Sequence, residues 1–386
     1  MTVSGPRRSS GILLHVTSLP GGPHCGDLGP SAYAFADFLD DAGQRWWQTL
    51  PLNPMGNAGS PYSSASSFAG EPMLISPELL VEDGMLDERS LADVPTVSTS
   101  GESSFAAARE TRGRLLSIAR ARFSNNELPP ATRVEFSAFV QRERDWLDDY
   151  TVFGALAKRF GTRQWQRWPT ELANRGTDAL GSARVELAAE IEGIAFSQFL
   201  FDRQWRALRS YCAQRGVGFI GDVPMFVALD SCDVWANRQC FLLDANGLPE
   251  FVSGAPPDGF SADGQRWDNP LYDWAYHEQT GFAWWTRRLK RQLALFDRLR
   301  LDHFIGFHRY WQIPASAASA REGQWMPAPG EAIFDELRRA YGDLPFIAED
   351  LGAVTQEVWD LRDRYGFPGM KVLQFAFSDD ASRAVH

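Results

Sequence analysis

Cysteine is scarce: Cys25, Cys212, Cys232 and Cys240 are the only four in 386 residues, and no two form a C-x-x-C pair. That spacing supports neither a disulfide framework nor a zinc site, and it reads as reduced, buried thiols in a cytoplasmic protein. Histidine is also rare, at six. His15, His24, His303 and His308 show no H-E-x-x-H or comparable ligand spacing, so no metal is expected. Basic blocks are missing. With 38 Lys and Arg against 49 Asp and Glu, the formal net charge is −11. A phosphate backbone would be repelled, which argues against nucleic acid as a partner. No apolar run is long enough to span a bilayer, so no membrane partner is expected, and Met1–Ser10 is not followed by the unbroken apolar core of a secretion signal. Neither a G-x-G-x-x-G after the first apolar run nor a P-loop occurs, which leaves an open nucleotide-binding sheet unsupported. Nothing in the sequence assigns an oligomeric state.

What is present is an ordinary globular mix, 44% hydrophobic with 33 Gly and 23 Pro. Short apolar runs end abruptly in polar or Gly/Pro-rich turns: Gly11–Val16, Arg45–Leu52, Val217–Ile220, Leu299–Leu301, Pro345–Ala348 and Met370–Phe377. Helical patterns lie between them, at Ser31–Ala42, Ala189–Gln214, Ala283–Phe296, Gly330–Tyr341 and Thr355–Tyr365. Buried strands alternating with helices predict an α/β fold with a parallel sheet. Polar residues at the C-terminal ends of several strands favour a (β/α)8 TIM-type barrel, since that is where a barrel carries its chemistry. The whole chain, 1–386, is therefore read as one catalytic barrel. Residues 53–215, after a Ser/Gly/Pro-rich loop, read as an inserted, mostly helical subdomain, and Val94–Ser104 as a Ser/Thr-rich link. Residues 236–274, rich in Gly, Pro and Trp, read as a second insertion. The six strands identified are fewer than the eight that close such a barrel.

Asp302 and Glu349 each stand directly after an apolar run. On neighbouring strands they would reach the same rim. Glycoside cleavage requires such a pair, one group protonating the leaving oxygen while the other attacks or stabilises the anomeric carbon. Arg300, two residues before Asp302, projects to the same side of its strand and would keep that carboxylate ionised. The same arrangement equally serves a structural ion pair, and an aspartate at a strand end also caps helices. Asp222, in Gly-Asp-Val-Pro, is either a hydrogen-bond partner of sugar hydroxyls or a turn aspartate. Most of the 14 Trp, 26 Phe and 9 Tyr belong in the core. Tyr62 and Trp267 instead lie among Ser, Gln and Asn, a setting that suits the apolar face and polar edge of a sugar ring. His303 either contacts substrate or makes a structural hydrogen bond.

Several longer stretches are more specific: Ser10–Pro20 (SGILLHVTSLP), Trp46–Pro54 (WWQTLPLNP), Ser60–Gly70 (SPYSSASSFAG), Gly221–Val227 (GDVPMFV), Pro256–Trp274 (PPDGFSADGQRWDNPLYDW), Arg300–Trp311 (RLDHFIGFHRYW), and Ala348–Gly352 (AEDLG) with Pro368–Phe377 (PGMKVLQFAF). In this order they resemble the signatures of the amylomaltase or disproportionating-enzyme family, glycoside hydrolase family 77, the 4-α-glucanotransferases. The resemblance implies transfer of a segment from an α-1,4-glucan or maltooligosaccharide donor to the 4-hydroxyl of an acceptor, with no cofactor. It makes Asp302 the nucleophile and Glu349 the general acid/base. It implies that Arg300, His303 and Asp222 hold the sugar at the cleavage point, that Tyr62 stacks there, and that Trp267 lines the acceptor side. Asp258 and Gln265 fall in the same loop as Trp267. Two departures stand out: Asp268 where the family generally has Gly, and Met326-Pro327 where Val-Lys is usual. The family's third carboxylate lies in an HDN-type segment on a later strand, beyond His386. The last strands of the barrel are accordingly expected to be missing from this chain, and turnover to be weak if it folds alone. The competing expectations are an α-glucan hydrolase of the same mechanistic clan and a catalytically dead glucan-binding protein.

Overall fold

The structure, a computed structural model, describes residues 8–56, 59–92, 94, 104–259 and 261–374. The chain divides into two compact units, Met1–Ile220 with Asp230–Ala236, and Gly221–Leu229 with Asn237–His386.

In the first unit, strands β1 (Gly11–Leu13), β2 (Trp46–Gln48) and the first half of β3 (Gly218–Val223) pair in parallel, Gly11 opposite Trp46 and Trp46 opposite Gly218. Parallel strands need crossover connections. Helix Pro30–Asp41 makes the first, opening with a proline at its first turn, where the missing N–H costs nothing. The second runs from Asn53 to Arg215. Its regular structure among the described residues is helical apart from one bridge between Met55 and Ser64, and includes Phe105–Ser124, Arg144–Phe160 and Ala188–Gln214. On the last of these, two buried glutamines substitute for a strand. The Gln198 amide exchanges two hydrogen bonds of 2.8 Å with the Gly70 backbone, and Gln204 exchanges bonds of 2.7 and 3.0 Å with Ser76. Each side chain supplies a donor and an acceptor to loop backbone that would otherwise be buried unpaired.

In the second unit, β6 (Arg298–Leu301) and β9 (Phe346–Ala348) pair in parallel, Leu299 opposite Phe346 and Leu301 opposite Ala348. The Asp302 N–H donates to the Val223 carbonyl at 3.0 Å, so the end of β3 flanks the end of β6. An antiparallel sheet has the order β5-β4-β7-β8, with β4 at Phe251–Ala255, β5 at Gln265–Pro270, β7 at Arg309–Pro314 and β8 at Gln324–Pro327. Helices Ala283–Leu295, Gly330–Tyr341 and Gln356–Tyr365 match the expected patterns to within a residue at each end. In Gly330–Tyr341 the apolar spacing delivers Ile333, Phe334 and Leu337 to one buried face, and Gln356–Tyr365 ends on a left-handed Gly366 at φ 70°.

β1, β2 and β9 are shorter than the apolar runs that announced them, whereas β3 and β6 extend beyond theirs; in β1 and β2 the run also supplies the chain that follows the strand. After β1, Val16–Ser18 is a 3-10 turn rather than strand. The antiparallel sheet escaped the sequence reading altogether. β5 (QRWDNP) has no alternating apolar face, and it lies within the stretch read as an irregular insertion. The strand expected over Met370–Phe377 is corrected in part. Met370–Gln374 contains no strand, and Phe375–Phe377 lie outside the described residues, as does most of Val94–Ser104. Among the described residues, no helix is long and apolar enough to cross a membrane.

Gly221 shows how tightly β3 is packed where it enters the second unit: a Cβ there would fall 2.4 Å from Cδ2 of the buried Phe296. Gly221→Ala is expected to destabilise the protein by about 1–3 kcal/mol through overpacking, visible as a lower melting temperature.

Candidate active site

Three strand ends of the second unit converge. Asp222 is the fifth of β3's six residues, Arg300 lies within β6, Asp302 follows β6 directly, and Glu349 follows β9 directly. Arg300 Nη1 donates to Asp222 Oδ1 at 2.7 Å and to Asp302 Oδ1 at 2.7 Å. The next residue, His303, donates its backbone N–H to Glu349 Oε2 at 2.8 Å. The sequence argument that Arg300 and Asp302 share a side of the strand thus corresponds to a formed ion pair. The backbone bond from His303 to Glu349 had no signal in the sequence, since it depends on the pairing of β6 with β9. His303 sits at φ 53°, in the left-handed region.

The two candidate catalytic carboxyls differ in surroundings. The Asp302 side chain is 28% exposed, whereas Asp222 is only 1% exposed, so of Arg300's two partners Asp302 is the one a ligand can reach. Burial pushes the Glu349 carboxyl up to about 7, with the Asp302 charge adding to the effect and Arg300 and the His303 and Leu351 N–H groups opposing it. Burial pulls Arg300 down, but the Asp222 and Asp302 charges outweigh it and hold the guanidinium above its ordinary range. Burial lowers His303 to about 4, which leaves the imidazole neutral at pH 7. Its Nε2 is sealed from solvent without a hydrogen-bond partner among the described residues.

The floor beneath is aromatic. The 3-10 turn Phe304–Phe307 after His303 is buried, with Phe304 and Phe307 at 5.8 and 5.0 Å from the Phe334 ring. On the other side of Glu349, the buried Asp350 pairs with Arg362 and accepts the Met370 N–H at 2.7 Å, fixing the turn that carries the acid.

The remaining expected site residues fall as follows. Trp267, half-buried on β5, meets the His303 ring edge-on at 4.8 Å and donates its indole N–H to Gln265 Oε1 at 3.1 Å. Asp258 is exposed on the β4–β5 connection and accepts the Ser261 N–H at 2.8 Å. Tyr62 belongs to the first unit, half-buried in a turn where its N–H meets Ser60 Oγ at 3.3 Å. Phe226 was not singled out from the sequence, where it reads as core; its ring lies 6.3 Å from Trp267 and 6.4 Å from His303. The departure at Asp268 has a backbone explanation. It adopts φ 60°, a conformation glycine reaches freely and Asp tolerates, and its carboxylate is held by Arg266 Nε at 2.6 Å. Among the described residues, no group of His, Cys, Asp and Glu is placed to hold a metal ion.

An α/β fold with a pair of carboxyls in contrasting environments at its strand ends defines the class as one suited to acid/base and nucleophilic work on a glycosidic bond. The comparisons name the family. A family profile described as 4-alpha-glucanotransferase, glycoside hydrolase family 77, matches residues 14–386. The 4-alpha-glucanotransferase of Thermus thermophilus is 47% identical over 372 residues, spanning 96% of this chain and 73% of that protein. That of Synechocystis is 45% identical over 376 residues, spanning 97% of this chain and 74% of that protein. The amylomaltase from Streptococcus agalactiae, solved in complex with acarbose, superposes with a TM-score of 0.92 at 37% identity, covering 98% of this chain and 76% of its own. The chain belongs to the 4-α-glucanotransferase family.

The raised Glu349 carboxyl has a consequence for stability. Between about pH 4.5, its ordinary value, and about 7, the folded chain holds a proton here that the unfolded chain releases. Stability therefore falls as pH rises across that window. Glu349→Gln is expected to remove this decline, on the order of 2–3 kcal/mol, in denaturant titrations at pH 5 and pH 8. An identical slope in the variant would assign the pH dependence elsewhere.

Proposed function

We propose that this chain is a 4-α-glucanotransferase that moves α-1,4-glucan segments between maltooligosaccharides or longer glucans by a retaining double displacement. The parallel strands are read as staves of a (β/α)8 barrel, residues 53–215 as its helical insertion and 236–274 as its substrate loop. One observation carries the reading: consecutive residues tie the two carboxyls together, Asp302 through its Arg300 ion pair and His303 through its N–H to Glu349. Four buried, free cysteines support a reducing, cytoplasmic setting.

In the first step the Asp302 carboxylate attacks the anomeric carbon of the donor while protonated Glu349 gives its proton to the departing glycosidic oxygen. A glucosyl ester forms on Asp302 and the leaving glucan departs with its 4-hydroxyl restored. Esterification removes the Asp302 charge, one of the causes that raise the Glu349 carboxyl, so Glu349 stays deprotonated after the first step, the form in which it can accept a proton in the second. It then takes the proton from the acceptor's 4-hydroxyl, whose oxygen attacks the anomeric carbon and frees Asp302. Asp222 anchors Arg300, and Arg300 and His303 border the sugar at the cleavage point. The family resemblance gives Tyr62, in the first unit, a stacking role on the sugar. Trp267, with Gln265 and Asp258 on the same segment, lines the acceptor side. Sugar prevails over water when the acceptor hydroxyl is held at an effective concentration of about 10⁵ M or more, against roughly 55 M water.

On maltotriose, glucose together with oligomers longer than the substrate is the expected product pattern; glucose and maltose alone would overturn transfer in favour of hydrolysis. Asp302→Asn and Glu349→Gln are each expected to lower turnover by about 10³-fold or more relative to the unmutated chain. The pH–rate profile of the unmutated chain is expected to fall above about 7, as Glu349 loses its proton. Trp267→Ala is expected to lower the transfer-to-hydrolysis ratio, and an unchanged ratio sinks its assignment to the acceptor side.

A further inference from the structure

The turn that leaves β3 after Asp222 has an unusual support. Pro224 has no N–H, so the ladder ends there, and the carbonyls of Pro224 and Met225 must find donors elsewhere. Arg288, on helix Ala283–Leu295, supplies them: Nη2 donates to the Pro224 carbonyl at 2.6 Å and Nη1 to the Met225 carbonyl at 3.3 Å. The Tyr272 hydroxyl donates to the same Met225 carbonyl at 2.8 Å and lies 3.5 Å from Arg288 Nη1. Arg288 is only 1% exposed, and among the described residues every hydrogen bond it makes is to a neutral oxygen. Its guanidinium carbon lies 5.4 and 5.1 Å from the Trp284 and Trp285 ring centroids. A charge buried without a carboxylate is expensive, and a neutral side chain would pack there more cheaply unless the donor fork itself is required. Beyond Met225 comes Phe226, whose ring stacks on Tyr272 at 5.9 Å and faces Trp267 and His303.

We infer that Arg288 and Tyr272 are positioning residues: together they clamp the Pro224–Met225 carbonyls and so fix the Phe226 ring against Trp267 and His303, setting the geometry of the acceptor side. This rests on the proposed transferase reading. The clamp lies behind the ring it places and touches no reacting group, so it acts on the partition between acceptor sugar and water more than on formation of the glucosyl ester. Small displacements of groups that orient a reactant have large effects on such steps.

Tyr272→Phe removes one donor and keeps the ring. Arg288→Met removes the fork at similar volume, and Arg288→Lys keeps the charge but loses the second arm. On maltotriose, Arg288→Met is expected to lower the transfer-to-hydrolysis ratio about tenfold and Tyr272→Phe about threefold, with initial glucose release changed less than twofold. The double variant should fall no further than Arg288→Met, since both act through one carbonyl pair, and Arg288→Lys should recover part of the loss. Melting temperature and maltoheptaose binding, followed by tryptophan fluorescence, are measured alongside. An unchanged ratio in folded Tyr272→Phe overturns the clamp, and that variant decides the matter if Arg288→Met does not fold. Loss of glucose release and ratio in parallel, tracking melting temperature, also overturns it. Failure of the unmutated chain to bind maltoheptaose or to transfer glucose overturns the transferase reading and the clamp's role with it.

Discussion

The candidate site depends on one cation. Arg300 bonds through a single nitrogen to Asp222 and Asp302, carboxylates that reach it from β3 and from the residue after β6. Two like charges so close would repel strongly where water is scarce, and a guanidinium between them turns that repulsion into a fixed geometry. The Arg300 side chain is 15% exposed and Asp222 1%, so the buried half of the arrangement is shielded from salt and solvent. Asp302 occupies the open end. Its position is set before any ligand arrives, and its ionic partner is itself anchored from behind.

The same crowding gives the two candidate catalytic carboxyls unlike characters. Glu349 loses hydration and feels the Asp302 charge, which together carry its carboxyl up to about 7. A protonated acid can therefore stand beside an ion-paired carboxylate in one site at neutral pH, the separation of roles that acid-assisted nucleophilic chemistry requires. Chain direction helps to enforce it. The His303 N–H reaches Glu349 because β6 and β9 are parallel and in register, Leu301 opposite Ala348, so the residues just past each strand meet.

Around this core, precision comes from backbone groups held by buried side chains. Asp350 with Arg362 secures the turn after β9, Arg288 with Tyr272 secures the turn after β3, and the 3-10 turn after Asp302 is seated on Phe334. Each fixes a loop at a strand end, where the ladder stops and orphaned carbonyls and N–H groups begin. Loops so braced can carry reactive groups with the rigidity of the strands they extend.

Local pattern determined a great deal. Apolar runs ending in Asp or Glu located β3, β6 and β9, and period-3.6 spacing located helices such as Gly330–Tyr341 to the residue. The Arg300–Asp302 pair was legible because two residues along a strand share a face by covalent geometry alone. What tertiary structure decided was everything that depends on which strands become neighbours: the Asp222–Arg300 bond, the His303–Glu349 bond, and the shift of Glu349 toward neutrality. β4, β5, β7 and β8 were invisible because the edge strands β5 and β8 are partly exposed and the buried positions of β4 and β7 include Ser253, Gly254 and Gln312, so no regular apolar alternation announces them and cross-strand pairing specifies the sheet. Phe226 was hidden for a related reason. Whether an aromatic is core or site wall depends on what its ring faces, and only the folded chain places Phe226 beside Trp267 and His303.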